Sequence, residues 1–118
     1  MNFLFILVTS VLAMTQQQKI IARNIMKSQN VPMRSSITDS VLHNNIAFAN
    51  VQESKVYIDA SKLINAPNTF KNVILHECRH LLGAQHFDGT LAMNYSVTVD
   101  TYGKVIDDNF LLLPNLGL

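Results

Sequence analysis

The chain has one cysteine, no tryptophan, and only four glycines and three prolines in 118 residues. A single cysteine cannot close an intramolecular disulfide, so the fold must be held by its core. Charged residues make up only 14%, and the formal net charge is +1. This balance argues against a nucleic-acid-binding surface, which is usually visibly basic. The length fits one domain, and 48% of apolar residues is enough for one core.

An apolar run opens the chain, but it is too short to span a membrane, which takes about 20 residues. It covers residues 3–13 and carries no charge. Its length, and the small residues Val11 and Ala13 near its end, are typical of a secretory signal peptide, although no Lys or Arg precedes it. The alternative is a buried first strand. We therefore predict a signal peptide at residues 1–13, a secreted single domain at residues 14–118, and no membrane span after cleavage.

Apolar spacing and turn residues predict a small α+β fold. Apolar side chains recur at helical spacing in residues 16–29, which indicates an amphipathic helix that ends before Pro32. Residues 35–40 are polar and indicate a loop. Residues 46–51 and 55–59 are rich in strand-forming residues and predict two strands joined as a hairpin.

The second half of the chain is predicted to contain a helix over residues 70–82. Asn68 or Thr69 is the expected cap of this helix, and Gly83 is expected to end it. Two weaker patterns follow, an extended segment at residues 97–99 and a short helix at residues 107–113.

An eleven-residue segment of this helix and its exit reads His-Glu-Cys-Arg-His-Leu-Leu-Gly-Ala-Gln-His. His76 and His80 are four residues apart, so a helix places both imidazoles on one face. Glu77 lies one step round and can reach a metal-bound water. Gly83 allows the chain to turn back, so that His86 can approach the same ion. Three imidazoles with one open position are the ligands of a catalytic zinc site.

This pattern resembles the elongated zinc-binding motif of the metzincin metalloproteases, which is followed by a Met-turn. Met93 and Tyr95 follow the third histidine closely. The resemblance implies that Met93 forms an apolar floor beneath the histidine rings, and that Tyr95 supports catalysis from the metal side. It also implies a small zincin domain with a short twisted sheet, an N-terminal helix and an active-site helix.

The same resemblance implies a zinc-dependent endopeptidase that holds one catalytic Zn²⁺ and uses Glu77 as general base. An extended peptide substrate is expected to pair with an edge strand, for which residues 55–59 with Tyr57 are the candidate. Val97, Val99 and Tyr102 are expected near the specificity pocket. We expect a monomer with no nucleic-acid partner.

Other functions are compatible with the sequence. One is a zinc-binding interaction module that no longer cleaves, and another is a zinc amidase that acts on a non-protein amide. A third is a structural protein in which the motif is accidental. His43 receives no role, and Cys78 is interpreted as a small buried side chain on the back of the helix.

Overall fold

The computed structural model of the protein describes residues 14–113, so the predicted signal peptide lies outside the described residues. These residues form two α-helices, a three-stranded sheet and a short 3₁₀-helix, which confirms the predicted α+β class. In chain order they are α1 (Gln16–Ser28), β1 (Ser36–Asp39), β2 (Ala47–Asn50), β3 (Lys55–Ile58), the 3₁₀-helix (Ala60–Leu63) and α2 (Pro67–Leu81).

The start of α1 is fixed by a reciprocal cap. Thr15 Oγ1 accepts the backbone N–H of Gln18 at 3.0 Å, and Gln18 Oε1 accepts the backbone N–H of Thr15 at 3.0 Å. The side chain of Gln18 is buried and also donates to the carbonyl of Ala60 at 3.1 Å. Ile21 and Ile25 lie on the buried face of α1, as the apolar spacing predicts.

The sheet has the order β1-β3-β2, with β2 and β3 antiparallel and β1 and β3 parallel. The predicted hairpin is confirmed. The prediction that residues 55–59 form an edge strand is wrong, since β3 is central and pairs on both sides. The two open edges belong to β1 and β2 among the described residues.

The predicted loop at residues 35–40 is also wrong, because it contains β1. The backbone N–H of Ser36 donates to Ser54 at 3.1 Å, and that of Ser40 donates to Ile58 at 2.9 Å. Ile37 is the one apolar residue of this strand and packs against the core. A strand of four residues with a single apolar side chain carries no alternation that a sequence could reveal.

The core lies between α1, α2 and one face of the sheet. On α2 the buried apolar side chains include Phe70, Ile74 and Leu75, and on β3 they include Ile58. Burying a large apolar side chain stabilises the fold by about 1.5–3 kcal/mol. Helix α2 is therefore the central element, and its position fixes the side chains that project from its exposed end.

Helix α2 starts three residues earlier than predicted. Ala66 is its N-cap, Pro67 occupies the first turn, and neither Asn68 nor Thr69 caps it. Proline suits this position because its missing N–H would have no helical partner there. The N–H of Thr69 donates instead to Asp107 Oδ1 at 3.0 Å, so a residue far along the chain caps this helix.

The predicted helix at residues 107–113 does not form. Backbone groups of this segment bind side chains of α2: Asn68 Nδ2 donates to the carbonyl of Asp108 at 2.8 Å, and the N–H of Leu112 donates to Asn72 Oδ1 at 2.9 Å. These side-chain partners take the place of the backbone hydrogen bonds that a helix over residues 107–113 would form. Of the extended segment predicted at residues 97–99, Val99 forms an isolated antiparallel bridge with Val105.

No helix within residues 14–113 has the length and apolar character needed to cross a membrane.

Candidate metal centre

The exit from α2 turns the chain back toward the helix by a Schellman motif. Leu82 is the C-cap, the N–H of Gly83 donates to the carbonyl of His80 at 3.0 Å, and the N–H of Ala84 donates to that of Arg79 at 3.0 Å. Gly83 has φ +98°, a conformation that side chains resist. This local geometry, which the sequence predicts, brings His86 back to the helix.

Three imidazoles converge where the chain returns. His86 Nε2 lies 3.2 Å from His76 Nε2 and 3.0 Å from His80 Nε2. In a tetrahedral site with metal–nitrogen bonds near 2.05 Å, ligand nitrogens are about 3.3 Å apart. The observed distances are close to this value, so the three rings can share one cation.

The tautomers of two rings follow from their other contacts. His76 Nδ1 lies 2.7 Å from the carbonyl oxygen of Ala92, and His80 Nδ1 lies 2.9 Å from that of Ala84. A carbonyl only accepts, so each Nδ1 carries the proton and each Nε2 directs a lone pair at the shared point. Such outer hydrogen bonds are typical of metal-bound histidine. Two lone pairs directed at one point are the arrangement that a shared cation requires.

The three histidines differ in how deeply they are buried. His76 is buried, His80 is half-buried and His86 is exposed. Burial lowers the pKa of His76, and the neighbouring rings of His80 and His86 lower it further. The neutral form that binds metal is therefore favoured at this position.

Glu77 is buried beside the ring of His76 on α2. Burial raises the pKa of its carboxyl to about 7. Glu77, His76 and His86 together line an open cavity of about 280 Å³. A carboxyl group that lines the same cavity as two of the three histidines has the chemistry of a general base.

The predicted Met-turn is a tight turn over residues 91–94. Thr90 stabilises it, since its Oγ1 accepts the N–H of Met93 at 3.3 Å and its carbonyl accepts the N–H of Asn94 at 3.2 Å. Met93 is almost completely buried, with 1% of its surface exposed. The turn also places the carbonyl of Ala92 against His76, so it supports the metal ligands through the backbone.

Tyr95 lines the same cavity as Glu77. Its hydroxyl donates a hydrogen bond to Asp108 Oδ2, a carboxylate that also accepts from Asn72 Nδ2 at 3.2 Å. Burial, and then the bond to Asp108, raise the pKa of the Tyr95 hydroxyl. Tyr95 therefore stays protonated, and its hydroxyl is held by the C-terminal segment.

The four residues predicted to bind substrate have different positions. Val97 lines the cavity beside Glu77. Tyr57 stacks on Phe48, with ring centroids 4.8 Å apart, and its neighbours on β3 are buried, so it lies on the other face of the sheet. Val99 is half exposed in the bridge with Val105, and Tyr102 is 92% exposed in a turn. The structure brings only Val97 to the cavity.

Several groups at the site have no recognisable sequence pattern. They are the carbonyls of Ala84 and Ala92, the edge residue Ala47, and Asp108. Backbone carbonyls belong to every residue, and Asp108 reaches Tyr95 only through the tertiary fold. The sequence signals for this site are confined to residues 76–95, with the histidine spacing, Gly83 and the Met93–Tyr95 pattern.

No family model, curated protein or solved structure matches the chain. Function must therefore be argued from the geometry of the site. That geometry establishes a group of three histidines that can hold a metal ion.

Proposed function

We propose that the protein is a zinc-dependent endopeptidase of the metzincin type. One observation carries this proposal: three imidazole nitrogens lie close together, and two of the three histidines line an open cavity with the buried Glu77. A structural zinc site usually closes with four protein ligands and favours cysteine, whereas three histidines leave a position for water.

The donor set favours zinc among the common cations. Neutral imidazole suits zinc and other late transition metals, while Mg²⁺ and Ca²⁺ prefer oxygen ligands. When bound, the ion would supply Lewis-acid polarisation and lower the pKa of a coordinated water toward about 7.

The chain's own residues perform the proton transfers in this proposal. Glu77 accepts the proton of the attacking water and returns it to the amine of the leaving chain. A bound cation would lower the pKa of Glu77 from its value of about 7 in the metal-free protein, so the carboxyl would be ionised and able to accept the proton. The His76 and His80 rings are held for their role by the carbonyls of Ala92 and Ala84.

The substrate is proposed to lie along β2 instead of β3. The carbonyl of Ile46 accepts the N–H of Asp59 at 2.8 Å, and alternation in an antiparallel ladder then leaves the backbone groups of Ala47 and Ala49 facing the open edge. Ala47 lines the cavity next to Glu77. An extended peptide added at this edge would pass the candidate metal centre.

The walls of the cavity support an apolar preference beside the cleaved bond. Val73 and Val97 line it together with the ring of Tyr95. The resemblance to metzincins would give the Tyr95 hydroxyl a role in stabilising the transition state. For that role the hydroxyl has to leave Asp108, so the hydrogen bond between them opposes it in the substrate-free protein.

The experiment combines metal analysis with cleavage of a peptide library. The protein should bind one equivalent of zinc and cleave peptides. Glu77→Gln should keep the zinc and lose activity by about 10²–10⁴-fold, the usual contribution of a general base. Glu53→Gln is the matched control, because it makes the same chemical change in the exposed turn before β3.

Two results would contradict the proposal. Unchanged cleavage by Glu77→Gln would exclude this residue as the base. Stoichiometric zinc without cleavage of any peptide would favour a binding module or an amidase acting on another amide.

A further inference from the structure

A second concave site lies on the other side of the molecule from β2, between α1 and β1. It is a groove of about 610 Å³, larger than the cavity at the candidate metal centre. Its apolar lining includes Ala22, Met26, Val31 and Ile37. Methionine adapts to different apolar ligands, and grooves of this size are typical of ligand sites.

The rim of the groove is basic. Lys19, Arg23 and Lys27 line it, and all three are exposed. They are spaced four residues apart on α1, so they form one stripe along the helix. Like charges at this spacing destabilise a helix. Helix α1 contains no acidic residue that would offset this cost.

Basic and acidic residues are distributed unevenly along the chain, and the part that forms α1 and most of β1 is basic. Residues 14–38 contain four basic residues and no acidic one, whereas residues 39–118 contain five basic and eight acidic residues. Among the described residues no carboxylate lines the groove. Asp39 follows Ile37 closely, but its carboxylate accepts the N–H of Ala60 at 3.0 Å. The basic stripe is therefore available to an anionic partner.

The groove also adjoins the edge of β1, which has no partner strand on its outer side among residues 14–113. The N–H groups of Ser36 and Ser40 donate to β3, and by alternation the backbone groups of Ile37 face away from the sheet. Ile37 itself lines the groove. Unpaired strand edges are where an extended peptide adds to a sheet.

We propose that this groove binds an acidic peptide segment of a partner protein, which adds to the edge of β1 in extended form. Its apolar side chains enter the groove, and its carboxylates meet Lys19, Arg23 and Lys27. The open edge favours a peptide over a small anionic amphiphile. A second copy would bring two basic stripes together, and residues 1–13 contain no acidic side chain. This inference does not depend on the metal site.

The test is fluorescence anisotropy with a labelled eight-residue peptide in which every second residue is in turn leucine and aspartate and the others are serine, so that the leucine and aspartate side chains lie on the same face of the extended peptide. The full chain carrying Glu77→Gln is used, so that the peptide is not cleaved. We expect saturable binding that weakens as salt increases, because exposed charges are screened. The same peptide with lysine in place of aspartate should not bind.

Charge reversal locates the site. Arg23→Glu with Lys27→Glu should weaken binding about tenfold or more, since two attractions become repulsions. Lys55→Glu with Lys104→Glu is the control, because it gives the same net charge at exposed positions outside the groove. All four substitutions are on exposed side chains, and circular dichroism would check that the variants fold.

The proposal is overturned if the aspartate peptide does not bind, or if the lysine peptide binds equally well. Equal weakening by both pairs of substitutions would mean that only net charge matters, and would also overturn it. Binding of a fatty acid or self-association at this face, without peptide binding, would assign the groove to another occupant.

Discussion

The two ends of α2 are built in different ways. At its C-terminal end, residues within eleven positions of one another hold the candidate metal centre: the spacing of His76 and His80, the turn at Gly83 and the return of His86. At its N-terminal end, the contacts come from about 40 residues away, through Asp107 and Asp108. One end is fixed by local sequence and the other by the tertiary fold.

The largest effect is expected when one of the three histidines at the C-terminal end of α2 is removed. His80→Ala should abolish stoichiometric zinc binding and the stabilisation that zinc gives, which is about 4 kcal/mol when zinc is a thousandfold above its Kd. Thermal unfolding with and without zinc would measure it. His43→Ala is the control, because His43 is exposed and lies outside the histidine group. If His80→Ala kept its response to zinc, the three rings would not be the ligands.

The same comparison explains what could be predicted from sequence. The approach of the three histidines and the glycine turn between them could be predicted, because helical periodicity and the conformational freedom of glycine act over a few residues. A turn at Met93 is also present, over residues 91–94. The catalytic roles of Glu77 and Met93 stay predictions.

The other end of α2 could not be predicted in the same way. Its cap comes from Asp107, and nothing near Pro67 in sequence indicates that partner. The central position of β3 also depended on recognising β1, which has only Ile37 as an apolar signal. Parallel pairing between strands distant in sequence leaves no local pattern, so the sequence does not reveal that β3 is a central strand.

A second prediction concerns the burial of Glu77 in the metal-free protein. A carboxyl whose pKa is raised from 4.5 to about 7 by burial holds its proton in the folded state after the unfolded state has lost it. The free energy of unfolding should therefore fall as the pH rises from about 4.5 to about 7, by about 3 kcal/mol relative to Glu77→Gln.

Urea unfolding of chelated protein across this pH range would measure the difference. Other groups that titrate in this range are common to both proteins, so the comparison isolates the contribution of Glu77. Glu53→Gln should reproduce the wild-type curve. Parallel pH curves for wild type and Glu77→Gln would show that Glu77 is not desolvated in the way the structure indicates.

A third prediction separates local backbone geometry from metal binding. Gly83→Ala places a side chain at φ +98°, which costs about 1–2 kcal/mol although no atom lies within 4 Å of the added Cβ. Because Gly83 directs His86 to the other rings, zinc affinity should fall as well. Gly103→Ala is the matched control, since Gly103 has φ +79° and equal space but lies in a distant turn. Equal zinc affinity in the two variants would show that the turn at Gly83 does not position His86 for metal binding.

The smallest expected effect is at the N-terminal end of α2. Asp107→Ala removes the acceptor for the N–H of Thr69 and should cost about 1 kcal/mol, as the loss of a helix cap does. Asp107→Asn keeps an oxygen acceptor and should restore most of this stability. Zinc affinity should be unchanged in both variants, because the three histidines lie at the other end of the helix. A clear loss of zinc affinity in Asp107→Ala would show that the two ends are coupled, and the division between a locally built site and a tertiary support would then fail.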